Sequence, residues 1–514
     1  MMPLVSASRP WYLSELLEGF VTARVEADVL VSSLTLDSRK MEAGGLFLAC
    51  DGGSFHGLDF AVDARRRGAC AIVAEPSERW PAETMSALAQ TLGVPVVPVP
   101  TLGRVASALA DRFFDHPSAA LEVIGVTGTN GKTSVTNYLA QALAPELTCG
   151  ILGTLGAGFP GDLMAGTHTT PDPVSLQEIL AWMRGRGAGA VAMEVSSHAL
   201  EQGRVGAVRF SHAVLTNLSR DHLDYHGDMA SYGGAKRRLF RMPGLSWVVL
   251  NQDEPLSDTI LAELSPAVSV AWYSLRSDAQ PRGRCDLWLR ARNVTPRSRG
   301  LSLRVETSVG DGGLEIGLLG RFNAANLLAV LAVLLSRGLP LSRALREIAA
   351  VRGVPGRMES FGGGAAPQVV VDYAHTPDAL EQALTNLRDH VHGRLICVFG
   401  CGGDRDRGKR SLMGEVAERL SDQVILSDDN PRREDGDAII SEILTGMQRP
   451  DAVRIERRRA LAIRMAIATA GPSDLVLVAG KGHETTQDMG ELKVHFSDRA
   501  QVVQALQERG GQCT

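Results

Sequence analysis

Gly125-Val126-Thr127-Gly128-Thr129-Asn130-Gly131-Lys132-Thr133 (GVTGTNGKT) follows the apolar run Leu121 to Ile124 and precedes a helix-like segment, Ser134 to Leu143. Strand, glycine-rich turn and helix N-terminus form the setting a phosphate-binding loop needs. Glycines let backbone N–H groups close around phosphate oxygens, and the helix start adds partial positive charge. Lys132 is placed to reach the terminal phosphates of a nucleotide, and the Thr133 hydroxyl to ligate Mg²⁺. The spacing departs from the usual one, because the glycine expected five residues before Gly131 is Val126. A glycine-rich turn of no chemical import is the alternative reading.

The loop sits in a chain of 514 residues, too long for one ordinary core, so two to four domains are expected. Hydrophobic residues make up 44% and charged residues 22%, as in a globular protein. A net charge of −5 excludes a nucleic-acid binder that relies on bulk positive charge. The seven cysteines, Cys50, Cys70, Cys149, Cys285, Cys397, Cys401 and Cys513, are scattered and form no CxxC pair, which reads as reduced thiols in a cytosolic protein. Cys397 and Cys401 read as strand-end packing rather than a metal site. No N-terminal segment has the order of a signal peptide, and the longest aliphatic run, Leu327 to Leu335, is too short to span a bilayer. A cytoplasmic protein without membrane insertion is expected.

Around the loop the texture divides the chain in three. Up to residue 99, the short apolar runs Val29–Val31, Leu46–Ala49 and Ala71–Ala74 suggest a small α/β domain. Pro95–Pro100 (PVVPVP) reads as a linker, since prolines pair poorly in a central strand. Residues 100–352 hold apolar strands at Leu121–Val126, Ala190–Val195, Ala213–Leu218 and Trp247–Leu250 with helices between several of them, the pattern of a mostly parallel sheet. Within this part, Cys285–Arg290, Leu301–Val305 and Leu314–Leu318 alternate apolar and polar residues, as antiparallel strands do, and Asn323 to Arg337 reads as a buried helix. After Gly353-Val354-Pro355-Gly356, residues 353–514 alternate helices with strands at Val369–Asp372, Leu395–Gly400, Gln423–Ser427 and Leu475–Ala479, a second, doubly wound sheet.

Two polar clusters follow strands in the middle part. Glu194-Val195-Ser196-Ser197-His198 ends the strand Ala190–Met193, where a carboxylate beside a phosphate loop can hold Mg²⁺. A lone glutamate elsewhere would be a solvated surface residue. Ser219-Arg220-Asp221-His222-Leu223-Asp224-Tyr225-His226 gathers ionisable groups after another strand.

Gly128–Thr133 (GTNGKT), Glu194–His198 (EVSSH), Thr216–Tyr225 (TNLSRDHLDY) and Asp372–Asp378 (DYAHTPD) together resemble the motifs of the Mur ligases, the ATP-dependent amino-acid ligases of peptidoglycan synthesis. The resemblance runs from about Leu36 to Arg499, and the shortened phosphate loop is the form this family uses. It implies three α/β domains: an N-terminal one for the UDP-sugar, a central one for ATP with a mostly parallel sheet and an added antiparallel sheet, and a C-terminal Rossmann-like one for the incoming amino acid. Leu36–Arg39 (LDSR), Thr167–Pro171 (THTTP) and Asp429-Asn430-Pro431-Arg432 resemble the branch that adds meso-2,6-diaminopimelate to UDP-N-acetylmuramoyl-L-alanyl-D-glutamate. Other branches, adding L-lysine or D-Ala-D-Ala, and folylpolyglutamate synthetase are the alternative enzymes. A nucleotide-sensing regulator is the non-enzymatic alternative.

The resemblance also implies roles. Gly128, Thr129, Asn130, Gly131, Lys132, Thr133 and Ser134, with Asn323, Asn326, Arg357, Asp372 and His375, would bind ATP; helix capping is the plainer reading of Asn323 and Asn326. Thr133, Glu194, His222 and Lys236 would hold Mg²⁺, Lys236 as a carbamate. By sequence alone, Lys236 in the basic run Lys236-Arg237-Arg238 reads as a surface lysine. Leu36, Ser38, Ser54, Phe55, His56, His168, Thr169, Thr170, Ser196, Gln202 and Arg204 would contact the UDP-muramoyl dipeptide. Arg405, Asp429, Asn430, Pro431, Arg432, Gly480 and Glu484 would receive diaminopimelate, arginine forks suiting its distal carboxylate and a glutamate its distal ammonium. Arg432 capping a turn is the alternative there. Lys132, Lys236, His222 and Glu194 would carry the catalysis, in a monomer acting in the cytoplasm on cell-wall precursors and so on cell shape and division.

Overall fold

The apolar runs of the sequence form parallel strands whose successive side chains point to opposite faces and are buried on both. A computed structural model describes residues 9–21, 28–53, 55–166, 168–297 and 299–510. Ser54, Thr167 and Cys513 lie outside the described residues. The chain divides into two compact units, one of Met1–Ser274, Ala279–Leu289 and Ala329–Leu339, the other of Leu275–Asp278, Arg290–Leu328 and Pro340–Thr514.

In the first unit, residues up to Pro98 form a parallel four-stranded sheet in the order Ser33–Thr35, Gly45–Ala49, Ala69–Ala74, Val96–Pro98. The linker expected at Pro95–Pro100 is thus corrected to an edge strand. Ile72 N–H donates to the Pro95 carbonyl and Val99 N–H to the Ala74 carbonyl, each at 2.8 Å. An edge has only one neighbour, so prolines without N–H groups are tolerated there.

The larger sheet of this unit runs Asp162–Met164, Gly156–Phe159, Cys149–Gly153, Ala190–Glu194, Glu122–Thr127, Phe210–Leu215, Trp247–Asn251, Ser269–Ser274. From Cys149–Gly153 onward all pairs are parallel, and the first two strands are an antiparallel edge. One face packs Val123, Val191, Met193, Leu215, Leu250 and Trp272 into a single cluster, all at most 1% exposed. Glu122–Thr127 lies between Ala190–Glu194 and Phe210–Leu215, so the loops after all three open at one edge, where doubly wound sheets bind ligands. The strand expected to reach Leu218 stops at Leu215, because Thr216 and Asn217 bond to the phosphate loop instead of a ladder.

In the second unit, Gly300–Thr307 and Gly310–Ile316 pair antiparallel. Its main sheet runs Glu359–Gly362, Gln368–Asp372, Leu475–Ala479, Leu395–Phe399, Gln423–Leu426, Arg454–Ile455, with only the first strand antiparallel. Alternate strand residues feed two cores. Val370, Leu477, Cys397 and Phe399 join one; Val369, Val371, Val476, Val478, Ile396 and Val398 join the other. Helices therefore cover both faces, and the C-terminal strand ends face a common edge. Among the described residues, no helix is long and apolar enough to cross a membrane.

Candidate active site

The helix Lys132–Leu143 starts where the loop predicts, after Gly131 in the left-handed region (φ 84°). A Cβ on Gly128 (φ 147°) would run into Thr216 Oγ1 and lie 2.9 Å from the Asn217 carbonyl, so only glycine fits. The loop is stitched to the segment after Phe210–Leu215. Thr129 N–H donates to the Asn217 carbonyl (2.8 Å), Asn130 N–H to Asn217 Oδ1 (2.9 Å), and Thr216 Oγ1 to the Asn130 carbonyl (2.6 Å). Lys132 Nζ folds back onto the Gly128 and Thr129 carbonyls, both at 2.8 Å. Thr133 and Ser134 are buried in the first helical turn.

Lys236 overturns its surface reading. It is 1% exposed, donates to the Gly128 carbonyl at 2.9 Å, and lies 4.4 Å from the centre of the Tyr232 ring. Burial first, and then the nearby Lys132 charge, push its ammonium well below the usual lysine range. Lowering the pKa eases loss of the ammonium proton, and an amine can add carbon dioxide only in its neutral form. The basic run misleads because the helix Met229–Arg237 turns Lys236 inward, whereas Arg237 pairs outward with Glu263.

Glu194 is 1% exposed and accepts from Thr154 N–H (2.8 Å) and Thr154 Oγ1 (3.2 Å). Thr154 Oγ1 also meets Thr169 Oγ1 at 3.0 Å, and Thr170 Oγ1 donates to the Glu194 carbonyl at 2.9 Å. Ser196 N–H donates to Thr170 Oγ1 (3.1 Å), and Arg204 donates to the Thr170 carbonyl (2.8 Å) and to Gln202 Oε1. Gln202 in turn donates to the Tyr225 hydroxyl (3.1 Å). The separated segments 168–170, 194–204 and 222–226 thus form one network, with His168 exposed beside it. His222, half exposed and left-handed (φ 54°), stacks edge-on against His198 at 5.0 Å, and burial lowers its pKa.

Among the described residues, no three His, Cys, Asp or Glu side chains converge as a metal centre. The Glu194 carboxylate and the Thr133 hydroxyl are oxygen donors of the kind Mg²⁺ takes, and His222 and a carbamate on Lys236 would be the further donors available to it. That ion takes one or two carboxylates and completes its shell with water and substrate phosphates.

In the N-terminal sheet region, Leu36 is half-buried, and Ser38 is buried and donates to Asp63 at 3.2 Å. His56 is 3% exposed, with Nε2 on the Glu75 carbonyl and Nδ1 receiving Leu58 N–H. Both ring nitrogens are therefore used inside the protein. Phe55 is 68% exposed and can offer its ring to a ligand.

In the second unit, the Asn323 amide donates back to the Leu319 carbonyl (2.8 Å) and Asn326 to Asn323 Oδ1 (3.3 Å), both side chains buried in the helix Arg321–Ser336. Arg357 lies over the Tyr373 ring at 4.6 Å, and Asp372 accepts Met358 N–H at 2.7 Å. Burial raises the Asp372 carboxyl, against the Arg357 charge. His375 Nδ1 meets the Tyr373 carbonyl at 2.8 Å.

The loops at the C-terminal strand ends of this unit bring together the residues expected for the amino acid. Asp429, Asn430 and Pro431 are buried and Arg405 is exposed. Arg432 is left-handed (φ 51°) and donates through Nη1 to the Gly403 carbonyl at 2.6 Å. The turn-capping contact is therefore present, and Nε and Nη2 have no partner among the described residues. Burial raises the Asp429 carboxyl, with Arg459 and Lys481 opposing. Burial also pulls Glu484 upward, but the hydrogen bond and charge of Lys481 outweigh it and leave that carboxyl below its usual range.

Sequence reasoning chose Gly480 and Glu484 from Gly480–Glu484 (GKGHE) but passed over Lys481, which is fully buried and bridges Asn430 and Glu484. It also missed Thr154, which orients Glu194. A signal for Lys481 was present: only six of the 53 basic residues are lysines, and Lys132, Lys236 and Lys481 are three of them.

The two sheets and the strand-end loops define a ligase of known architecture: the chain belongs to the Mur ligase family. The family's catalytic domain matches residues 30–114, the Mur ligase middle domain 126–334, and the glutamate ligase domain 356–482. The UDP-N-acetylmuramoyl-L-alanyl-D-glutamate--2,6-diaminopimelate ligase of Alkalilimnicola ehrlichii is 50% identical over 97% of this chain and 99% of its own. That of Coxiella burnetii is 47% identical over 96% and 99%. A solved structure of a ligase of the same name, 32% identical, superposes with a TM-score of 0.70 over 98% of this chain and all of its own. MurF ligase from Thermotoga maritima in complex with ADP shares the fold, at 16% identity and a TM-score of 0.61 over 93% of this chain and 97% of its own.

Proposed function

We propose that this chain is an ATP-dependent ligase that joins meso-2,6-diaminopimelate to the D-glutamyl carboxylate of UDP-N-acetylmuramoyl-L-alanyl-D-glutamate. The observation that carries the reading is identity of 47–50% over nearly the whole chain with ligases named for that reaction. The strand-end loops supply residues suited to each partner.

In this reading, residues 1–99 take the UDP-sugar, 100–352 take ATP, and 353–514 take the amino acid. The backbone of Gly128–Ser134 and Lys132 surround the terminal phosphates of ATP. Asn323, Asn326, Arg357, Asp372 and His375 serve the rest of the nucleotide. Thr169, Thr170, Ser196, Gln202 and Arg204 line the path of the muramoyl dipeptide, with Leu36, Ser38 and Phe55 toward its uridine end. The substrate carboxylate attacks the γ-phosphate, giving an acyl phosphate and ADP. The amine of diaminopimelate attacks the activated carbonyl and phosphate leaves. A carboxylate becomes an electrophile only when one of its oxygens is a good leaving group, so positioning and cationic charge carry most of the catalysis. Lys132 supplies charge at the phosphates. Thr133, Glu194, His222 and a Lys236 carbamate would hold Mg²⁺, which supplies further charge neutralisation when bound. The enzyme acts as a cytoplasmic monomer in peptidoglycan synthesis.

Phosphate release with the muramoyl dipeptide and a panel of amino acids tests this. L-Lysine lacks the distal carboxylate and leaves the arginines of the pocket unpaired. Losing one partner of a desolvated charge pair costs about 2–5 kcal/mol, or roughly 30-fold to several thousand-fold in kcat/KM. Comparable kcat/KM for the two amino acids would overturn the diaminopimelate assignment.

A further inference from the structure

Lys481 carries three marks of a residue that sets the geometry of its neighbours. Its side chain is 0% exposed. Nζ donates to Asn430 Oδ1 at 2.9 Å and to Glu484 Oε2 at 2.7 Å. It is also flanked by two glycines in positive-φ conformations, Gly480 (117°) and Gly482 (52°). A Cβ on Gly480 would lie 2.5 Å from Asp429 Oδ2, and one on Gly482 would lie 2.7 Å from the Gly356 carbonyl and 2.8 Å from Tyr373 Cβ. The loop has one path, and that path turns Lys481 inward.

This arrangement fixes the amide of Asn430. Its Oδ1 receives both Lys481 Nζ and Asp488 N–H, each at 2.9 Å, and its Nδ2 donates to Glu484 Oε2 at 2.9 Å. A flipped amide would set NH₂ against two donors. Asn430 keeps one N–H for a ligand, and Glu484 keeps Oε1, which has no partner among the described residues.

We propose that Lys481 is a positioning residue for the amino-acid substrate, holding Glu484 and Asn430 so that Glu484 Oε1 meets a substrate ammonium and the remaining Asn430 N–H a substrate carboxylate. The inference rests on the reading of this pocket as the amino-acid site. Lys481 also keeps Glu484 ionised against the effect of burial, as the direction of its shift shows. The other charged or titratable groups acting on Glu484 are His483 on its own loop, Asp429, Tyr373 and Arg459. Without Lys481 the carboxyl would protonate at higher pH and lose its hold on an ammonium.

Lys481→Met tests this in steady-state phosphate release. KM for diaminopimelate is expected to rise at least tenfold, while KM for ATP and for the muramoyl dipeptide stays within twofold. The acid limb of kcat/KM for diaminopimelate is expected to move to higher pH. A merely structural lysine would raise all three KM values together, or lower only the melting temperature, and would leave the acid limb where it was; either result overturns the proposal. Should the variant not fold, ¹³Cε-lysine NMR of the wild type decides, since only six lysines contribute signals. The Lys481 signal is expected to shift when diaminopimelate joins a complex with a non-hydrolysable ATP analogue and the muramoyl dipeptide. An unmoved signal overturns the proposal. A wild type that releases no phosphate with any amino acid overturns the pocket's reading, and this inference with it.

Discussion

Gly153→Ala is a sharp probe of the site, because Gly153 lies outside every motif and acts only through Glu194. It ends the strand Cys149–Gly153 beside Ala190–Glu194. A Cβ there would lie 2.6 Å from Glu194 Cδ, 2.7 Å from Cγ, and closer still to Oε1. Ordinary contact begins near 3.4 Å, so the carboxylate must retreat by roughly 1 Å. That retreat breaks its bonds from Thr154 N–H and Oγ1, now 2.8 and 3.2 Å. Hydrogen bonds to a charged group contribute about 1.5–3 kcal/mol, so a stability loss of about 2 kcal/mol is expected. A 1 Å displacement of a catalytic group costs on the order of 10²-fold in rate, about 2.7 kcal/mol of barrier. The assay is phosphate release at saturating substrates, beside thermal unfolding. Gly185→Ala is the control: it lies in the helix Pro173–Gly185 with nothing within 4 Å of its Cβ, and should be neutral or slightly stabilising. A folded Gly153→Ala enzyme with kcat within threefold of wild type would refute the role assigned to Glu194.

Lys132→Ala should lower kcat by about 10³-fold or more with little change in Tm, since its half-buried side chain bonds to the Gly128 and Thr129 carbonyls and its charge matters most once phosphates arrive; near-normal turnover would contradict this. Lys236→Ala should be nearly inactive, with partial rescue by formate or acetate, and ¹³C-bicarbonate NMR of the wild type should show a carbamate. Active enzyme without that signal would count against the modification. His212, 4% exposed, is pushed down to about 4 by burial, with Arg337 adding to the shift and Glu122 opposing it. Because its folded pKa lies below the unfolded value of about 6.5, the unfolded chain binds the extra proton between those values. The resulting stability, about 3 kcal/mol, is full above pH 6.5 and lost as pH falls toward 4. Denaturant midpoints should drop over that window in the wild type and much less in His212→Asn; equal profiles would refute the assignment.

The sequence alone determined the strand–loop–helix unit at Gly125–Thr133, the two parallel sheets and the family. These rest on local information: glycine φ requirements, apolar runs of strand length, and polar residues placed just after them. Local information also misled at Pro95–Pro100, where composition could not tell an edge strand from a linker, and at Lys236, where a basic run concealed a helix face turned to the interior. Only the tertiary structure decided which distant residues share a site. Thr154 orients Glu194 from a neighbouring strand end, and Lys481 reaches Asn430 across 51 residues of sequence. The physical reason is that burial and hydrogen-bond partnership belong to the folded sheet rather than to any segment of it. A lysine's charge state and an asparagine's free donors are fixed only when elements far apart in the chain have closed around them.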